Sequence, residues 1–318
     1  MRDPLFVFEI TPRCNLACTY CYNVWKTDDG PYPLELSLGE IEKLADSIQA
    51  AHPVSITLTG GEPLLRDDLL EIVGMFRKRG ILVGIATNGM LLDGDKAKSL
   101  NEAGVSWFEI SVPAVSGEGY RDLTGTDGFE AVKRAMLAAA SSGARLTVSH
   151  IITSRNSGDA GRVVDMAYAF SADAVALNRF VPGGAGLANR HLLPILKQLD
   201  SALKSAGGRS LMSPGITVYA AIPVEDCMLH HSDYPGIKFG SCICGAGKWA
   251  ISPLGELRVC EQSPHIIGSL LEKPFNELSR SLYVEEFRNS NRSSDCTSCS
   301  SRNVCGGGCR FLQEISIP

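Results

Sequence analysis

Strand-like and helix-like segments alternate along the first two thirds of the chain. Six short apolar runs have strand patterning: residues 5–10, 55–59, 81–86, 107–112, 146–152 and 174–179. Amphipathic windows with helical spacing separate them: residues 37–50, 67–79, 94–103, 129–142, 159–170 and 191–206. Six β-α units in alternation predict an α/β fold with a parallel sheet, a partial (β/α)6 TIM-like barrel. Functional residues of such barrels lie at the C-terminal ends of the strands.

The chain changes character after residue 206. A length of 318 residues allows one large domain and a small one. Gly207-Gly208-Arg209-Ser210 and Ser213-Pro214-Gly215 interrupt the helical pattern, and the remainder is rich in Cys, Gly and Ser. We expect a barrel domain over 1–206 and a small, irregular domain over 207–318 that needs bound metal for part of its folding energy.

Composition excludes several classes of function. The formal net charge is −5 and no Lys/Arg run is present, which argues against a nucleic-acid partner. No apolar stretch is long enough to span a bilayer, and the N-terminus lacks a signal-peptide pattern. The sequence therefore predicts a cytoplasmic protein. In that reducing compartment its eleven cysteines are expected to be metal ligands.

Three cysteines follow the first strand in a C-x3-C-x2-C pattern. Cys14, Cys18 and Cys21 could hold an iron–sulfur cube by three corners, which leaves the fourth iron open to a non-protein ligand. A zinc site is the alternative, but it usually needs four ligands, and no fourth Cys or His lies near. The spacing therefore favours a cluster that binds a substrate over one that only carries electrons.

This motif, with Tyr20 before the third cysteine, resembles the signature of the radical S-adenosylmethionine (radical SAM) enzymes. The resemblance implies a [4Fe–4S] cluster whose open iron binds S-adenosylmethionine. Reductive cleavage then gives methionine and a 5′-deoxyadenosyl radical, which abstracts a hydrogen atom from the substrate. It also implies the partial barrel predicted above.

Further segments at strand ends resemble the family's cofactor-binding motifs. Gly60-Gly61-Glu62 looks like the motif that binds the methionine amino group, although a simple turn is the alternative. Thr87-Asn88 and Ser111 match two further positions, but Pro113-Ala114 replaces the usual Asp-Gly. Residues 120–125 resemble the loop that leads into the next helix. Three more residues stand where relatives contact the cofactor: Asn156, Asn178 and Arg179. Arg179 could pair with a carboxylate of cofactor or substrate, or it could be a solvated charge.

The C-terminal cysteines form a second pattern. Cys244-x10-Gly255-x4-Cys260 is followed by Cys296-x2-Cys299-x5-Cys305-x3-Cys309. The pattern resembles the SPASM domain, a radical SAM extension that carries two auxiliary [4Fe–4S] clusters. Zinc is the alternative for the last four cysteines, because four closely spaced thiolates suit it.

The resemblance also implies a division of these ligands. The first auxiliary cluster takes Cys244, Cys260 and Cys309, with a fourth ligand from Cys242 or Cys227. The second takes Cys296, Cys299 and Cys305. The SPASM pattern has one more cysteine downstream, which this sequence lacks, so the second cluster could use a non-cysteine ligand, stay open or be absent. A truncated sequence would also explain the missing cysteine.

One thiol of the pair Cys227 and Cys242 is left over by this division. Cys227 could donate a hydrogen atom to a product radical, as in radical epimerases. It could also be an ordinary cluster ligand or a buried small residue.

The family resemblance suggests a reaction class and leaves the substrate open. The main hypothesis is a maturase that oxidises or cross-links a ribosomally made peptide, with auxiliary clusters taking part in electron transfer. The alternative is a dehydrogenase or epimerase of a sugar or aminocyclitol that uses a cysteine hydrogen donor. A non-catalytic electron carrier is a third class. Expected partners are a flavodoxin or ferredoxin as electron donor and, because the first strand begins at Leu5, a separate leader-peptide-binding protein.

Overall fold

The strands form one sheet in which the six predicted strands lie side by side. A computed structural model describes residues 3–25, 34–290, 296 and 298–313. Its strands are β1 Leu5–Thr11, β2 Ser55–Gly60, β3 Leu82–Thr87, β4 Val105–Ser111, β5 Arg145–Ile152, β6 Ala174–Arg179, β7 Thr217–Ala220, β8 Ile237–Lys238, β9 Lys248–Ile251, β10 Glu256–Arg258 and β11 Gly268–Ser269. The spatial order is β11-β10-β9-β1-β2-β3-β4-β5-β6-β7-β8.

Pairing within the sheet is mostly parallel, as predicted. Each strand from β1 to β7 pairs parallel with the next strand in the chain, and β9 adds in parallel to the free side of β1. The hairpin of β9 and β10, followed by β11, supplies the only antiparallel pairs among the described residues. Strands from beyond residue 206 therefore lie at both edges of the barrel sheet. The α/β class with a parallel, barrel-like sheet is confirmed.

Helices connect successive strands. They are α1 Leu38–Gln49, α2 Leu69–Lys78, α3 Gly94–Ala103, α4 Gly117–Thr124, α5 Phe129–Ser141, α6 Ala160–Ala169, α7 Leu196–Met212, α8 Phe275–Leu278, α9 Leu282–Ser290, α10 Arg302–Cys305 and α11 Arg310–Gln313. The capping pattern predicted at Ser37 is present, since its backbone N–H donates to the Glu40 carboxylate at 2.9 Å.

The helix after β6 begins later and runs further than the sequence predicts. Leu193 is extended because Pro194 follows it, and α7 begins only at Leu196. The helix then continues through the predicted linker glycines. A Cβ on Gly236 would lie 2.1 Å from the Gly207 carbonyl oxygen, so close backbone packing places these glycines in the helix. The predicted boundary at residue 206 therefore lies inside α7.

Residues 120–125, expected to be a loop, belong mostly to α4. The Ser116 hydroxyl accepts from the Gly119 N–H at 3.2 Å, which caps the N-terminus of this helix. Gly125 ends it at φ +74°. The helix has only eight residues and includes two glycines, which explains why periodicity alone did not identify it.

The two faces of the sheet differ in polarity. Phe6, Phe8 and Ile10 alternate along β1 and pack into the apolar layer under the helices. The opposite face carries polar side chains, including Glu9, Glu109 and a hydrogen-bonded pair in which Asn178 Nδ2 donates to Ser149 Oγ at 3.0 Å. This polar face is the interior surface of the partial barrel.

His150 is a polar residue on the helix-facing side of β5. Its Nδ1 lies 2.8 Å from the Val112 carbonyl oxygen, and the side chain is fully buried. Burial lowers the pKa of His150, so the folded protein keeps the ring neutral. The unfolded chain, in contrast, protonates this residue near its ordinary pKa of about 6.5.

We therefore expect stability to fall as pH drops below about 6.5, by up to about 1.4 kcal/mol per pH unit from this group. The reason is that the unfolded state then binds a proton that the folded state does not. Anaerobic urea unfolding at several pH values should show a shallower acid dependence for His150→Gln than for the parent protein. Equal slopes in the two proteins would contradict this assignment.

Within the described part of the chain, no helix has both the length and the apolar character needed to cross a membrane.

Candidate active site

The cysteine loop begins directly after β1 and is held by backbone contacts. Cys14, Cys18 and Cys21 are all half-buried. The Thr19 N–H and hydroxyl both donate to the Leu123 carbonyl of α4, at 3.0 and 3.2 Å. From the segment after β6, the Gly186 N–H donates to the Cys21 carbonyl at 3.0 Å. The loop conformation is therefore fixed from two sides by groups other than the thiols.

Tyr20 lies inside this loop. Burial raises the pKa of its hydroxyl well above the ordinary value, and the neighbouring Cys18 raises it further. The phenol consequently stays neutral beside the cysteines.

The end of β2 packs against the residues that precede Cys14. The Gly61 N–H donates to the Thr11 carbonyl at 2.7 Å, and the Glu62 N–H donates to the Arg13 carbonyl at 2.8 Å. A Cβ on Gly61 would lie 1.9 Å from the Arg13 carbonyl oxygen, and Gly60 adopts φ +124°. The two glycines thus permit one backbone to approach another.

The Glu62 side chain joins the ends of β2 and β3. It is fully buried, and its Oε1 accepts from Thr87 Oγ1 at 2.7 Å and from the Leu64 N–H at 3.1 Å. Its Oε2 accepts from the Asn88 N–H at 2.8 Å. Burial raises the pKa of Glu62 despite these bonds. Glu62, Thr87 and Asn88 therefore form one hydrogen-bonded group.

This group is connected to the cysteine loop through Asn88. Its Nδ2 donates to Asn15 Oδ1, next to Cys14, at 2.7 Å. Asn23, just beyond Cys21, donates from Nδ2 to the Gly60 carbonyl at 2.7 Å. Asn23 Oδ1 is buried and has no hydrogen-bond partner in the described part of the chain. A buried, unsatisfied acceptor beside the cysteine loop fits a site that receives a ligand with N–H or O–H donors.

Of the other predicted cofactor contacts, Asn156 has its amide fully engaged by the protein. Its Nδ2 donates to the carbonyls of Pro113 and Ile151 at 2.6 Å each, and its Oδ1 accepts from Thr153. It joins the ends of β4 and β5. Ser111 is half-buried at the end of β4, beside Ser149 in the sheet register.

Arg179 has an internal partner that the sequence did not identify. Its guanidinium forms a two-pronged ion pair with Glu225, at 2.7 and 3.0 Å, and donates to the Pro223 carbonyl at 2.6 Å. The side chain is buried, so it is not a solvated charge. The expected pairing with a cofactor or substrate carboxylate is replaced by this intramolecular one.

Four C-terminal cysteines lie together. The thiols of Cys242 and Cys244 are hydrogen-bonded, and Cys244 is also bonded to Cys260; the first bond lowers the pKa of Cys242 and raises that of Cys244. Cys309 lies near Cys260 and Cys242, and burial is the main cause that raises its pKa to about 12. This set of Cys242, Cys244, Cys260 and Cys309 is called group 1.

Cys227 lies close to the other C-terminal cysteines. Partial burial of its thiol raises the pKa of Cys227, and Cys305 and Cys296 add to the rise. The side chain is exposed, which excludes a buried apolar role. Cys299 is in a turn with Cys296, since its N–H donates to the Cys296 carbonyl at 3.4 Å. This set of Cys227, Cys296, Cys299 and Cys305 is called group 2.

Across the described residues, no three His, Cys, Asp or Glu side chains are arranged as ligands of a single metal ion. The thiolates of an iron–sulfur cube each bind a different iron, so the cluster assignments depend on residue type and grouping.

A buried charge pair was also missed by the sequence reasoning. Glu9 of β1 forms an ion pair with Arg258 of β10 and accepts from Trp25 Nε1 at 2.8 Å. Burial raises the pKa of Glu9 to about 7, although Arg258 acts in the opposite direction. Nearby, Lys248 pairs with Glu261 beside Cys244 and Cys260. Only the tertiary fold brings these partners together, and no local sequence pattern predicts the pairs.

The chain is similar over nearly its whole length to known enzymes. It is 28% identical over 334 residues to a PqqA peptide cyclase from Streptomyces rochei, covering 98% of this chain and 86% of the relative. It is 27% identical over 321 residues to an AdoMet-dependent heme synthase from Oleidesulfovibrio alaskensis, covering 96% and 82%.

The fold is similar to that of SuiB from Streptococcus suis, which has been solved bound to S-adenosylmethionine. The TM-score is 0.76 at 16% identity, over 98% of this chain and 74% of SuiB. SuiB has also been solved bound to its precursor peptide SuiA. At this identity the similarity shows a shared fold.

A family profile covers the part of the chain that contains the cysteine loop and the ends of β1 to β5. The Radical SAM superfamily matches residues 8–166, half of the sequence. This match encloses Cys14, Cys18 and Cys21 together with the Glu62–Thr87–Asn88 group. The protein therefore belongs to the radical SAM superfamily.

Proposed function

We propose that this protein is a maturase that oxidises or cross-links a ribosomally made peptide. Membership of the family implies a [4Fe–4S] cluster and S-adenosylmethionine. Cys14, Cys18 and Cys21 are the three thiols that hold the cluster, and groups 1 and 2 hold auxiliary [4Fe–4S] clusters. When bound, these cofactors supply a 5′-deoxyadenosyl radical to take a hydrogen atom from the substrate and an acceptor for the electron that the substrate then loses.

The observation that carries this proposal is the connected set of strand ends around the cysteine loop. Three thiols, a buried acceptor on Asn23 and the polar groups of Asn88 meet at the C-terminal ends of β1, β2 and β3. These residues therefore suit an iron–sulfur cluster that is held by the thiols, with an amino-acid ligand beside it. The active face of a barrel is the place where such chemistry is expected.

In this proposal some residues contact the cofactor or the substrate, and others hold those residues in position. By the family resemblance, we assign Tyr20, Gly60, Gly61 and Ser111 as the residues that would contact S-adenosylmethionine. Glu62 and Asn156 act through others, because their side-chain groups are engaged in holding Thr87, Asn88 and the ends of β4 and β5. Asn178 sits with Ser149 on the polar inner face, where a substrate would lie.

A peptide substrate is favoured by the relatives. PqqA peptide cyclase is similar to nearly the whole chain, and SuiB, which shares the fold, binds a precursor peptide. The polar inner face, with Glu109 and the Lys248–Glu261 pair, offers partners for peptide amides and side chains. A flavodoxin or ferredoxin would supply the electron, and a separate protein would present the leader peptide.

The alternative, an enzyme that acts on a small molecule, is favoured by a different relative. The AdoMet-dependent heme synthase is nearly as similar to this chain as the cyclase is. A sugar or aminocyclitol dehydrogenase or epimerase would be a further member of this class.

The test uses the anaerobically reconstituted enzyme with S-adenosylmethionine, reduced flavodoxin and synthetic copies of short peptides encoded beside its gene. We expect 5′-deoxyadenosine to form and one peptide to lose two hydrogen atoms, as seen by mass spectrometry. Cleavage of S-adenosylmethionine with every such peptide unchanged, and turnover of a sugar instead, would favour the alternative. No cleavage under any condition would contradict both.

A further inference from the structure

We propose that Cys227 is the fourth ligand of the second auxiliary cluster, which it completes together with Cys296, Cys299 and Cys305. This inference rests on the proposed auxiliary clusters and deepens them. It assigns a residue from the segment between β7 and β8 to a site otherwise built from the C-terminal cysteine pattern. It also replaces the hydrogen-donor role considered for this thiol.

The turn that carries Cys227 is attached to the segment that carries Cys305. The Asp226 N–H donates to the Cys305 sulfur at 3.4 Å. From the same segment, Ser301 Oγ donates to Asp226 Oδ2 at 2.7 Å. The residue immediately before Cys227 is thus bonded at two points to the ligand segment.

A second set of contacts fixes this turn from the other side. The Met228 and Leu229 N–H groups donate to the Glu225 carbonyl at 3.0 and 3.1 Å, which closes the turn around Cys227. The Glu225 carboxylate is held by Arg179, and a Cβ on Gly308 would lie 2.2 Å from Glu225 Oε1. The turn is therefore clamped between the end of β6 and the glycines that follow Cys305.

The grouping of the thiols in this sequence places Cys227 with Cys296 and Cys305. Group 1 already contains four cysteines, three of which are joined by thiol–thiol hydrogen bonds. Three more cysteines lie in the N-terminal loop, and the other four of the eleven are the members of group 2. Four thiolates are what a fully ligated [4Fe–4S] cluster needs.

Full ligation has a functional consequence. A cluster with four protein ligands has no open iron, so it passes electrons and does not bind a substrate. The second auxiliary cluster would then be an electron relay. Exposure of Cys227 places this relay at the protein surface, where an external carrier can reach it.

The first test compares iron and sulfide content of the full-length holoenzyme with its Cys227→Ala and Met228→Ala variants. Met228 is an exposed neighbour in the same turn and serves as the matched control. We expect about twelve irons in the parent and in Met228→Ala. Cys227→Ala should lose up to about four irons, or show the electron paramagnetic resonance signal of a three-iron cluster.

This test distinguishes failure of the ligand assignment from failure of the proposed auxiliary clusters. Twelve irons and unchanged cluster spectra in Cys227→Ala would overturn the ligand assignment alone. About four irons in the parent would instead remove the auxiliary clusters from the proposed function, and the ligand assignment with them.

The second test needs no variant and so does not depend on a mutant's folding. Thiol alkylation of the parent holoenzyme is mapped by peptide mass and compared with the chelator-stripped protein. Because Cys227 is exposed in the absence of a cluster, we expect rapid labelling after stripping and protection in the holoenzyme, equal to that of Cys305. Rapid labelling of Cys227 in a holoenzyme whose Cys305 stays protected would overturn the proposal.

Discussion

Alanine at Cys14, Cys18 or Cys21 is expected to abolish reductive cleavage of S-adenosylmethionine. Each substitution removes one of the three thiolates that hold the cluster, and no other described cysteine belongs to this loop. Formation of 5′-deoxyadenosine, measured by liquid chromatography, should fall to the level of the enzyme-free control. Iron content should fall by about four per chain, because the proposed auxiliary clusters do not use these residues.

The same variants should remain folded. The loop is held through Thr19, Gly186 and other backbone contacts, and these do not require a thiol. Circular dichroism and gel filtration of the three variants should therefore match the parent. Loss of cleavage in a folded protein then reports on the cluster and not on the barrel.

A surface control completes this experiment. Lys98 is exposed and pairs only loosely with Glu102, 3.9 Å away on the same helix. Such pairs contribute little, so Lys98→Gln should cleave S-adenosylmethionine at the parental rate. An alanine variant of the three cysteines that did the same would contradict the assignment of the active cluster.

The fold of the first two thirds was predictable because each element carries its own signal. The strands carry apolar residues at alternate positions that face the helices, and α1 begins at a recognisable cap at Ser37. The late strands were missed because β7 has four residues and β8 only two, and their pairing depends on neighbours far away in the chain. Likewise, Gly207 of α7 packs against Gly236, a contact that the sequence pattern does not reveal.

The sequence predicted the motifs of the site, but it did not predict the hydrogen-bond and ion-pair partners of their side chains. The sequence identified Glu62 and Arg179 as possible ligand contacts, with a simple turn and a solvated charge as the alternatives. In the structure, Glu62 bonds Thr87 and Asn88, and Arg179 bonds Glu225, 46 residues away. A motif predicts the position of a side chain at the end of a strand. The hydrogen-bond or ion-pair partner of that side chain depends on which strand ends lie next to each other in the sheet.

The buried Glu9–Arg258 pair shows how the two ends of the chain are joined. Glu9 lies on the strand that leads into the cysteine loop, and Arg258 lies on the hairpin that precedes Cys260. Breaking a buried pair by removing one partner leaves an uncompensated charge and typically costs about 3–5 kcal/mol. The proposed sites of the active and first auxiliary clusters are therefore supported by one continuous sheet and one shared ion pair.

A single methyl group at Gly61 is expected to have a large effect on both stability and activity. The added Cβ would lie 1.9 Å from the Arg13 carbonyl oxygen. Because this oxygen belongs to the backbone, it cannot move aside as the end of a flexible side chain could. Overpacking of this kind costs about 1–3 kcal/mol or more. Because Arg13 precedes Cys14, the strain is transmitted directly to the cysteine loop.

We expect Gly61→Ala to lower the anaerobic thermal midpoint by about 2–4 °C per kcal/mol and to reduce the rate of S-adenosylmethionine cleavage. The matched control is Gly74→Ala, in the middle of α2, where a Cβ would meet nothing within 4 Å. The same chemical change should there stabilise the protein by about 0.5–1 kcal/mol, because alanine favours the helix. Opposite signs for the two variants would establish that the contact with Arg13, and not the loss of glycine itself, constrains the active loop; equal midpoints would refute it.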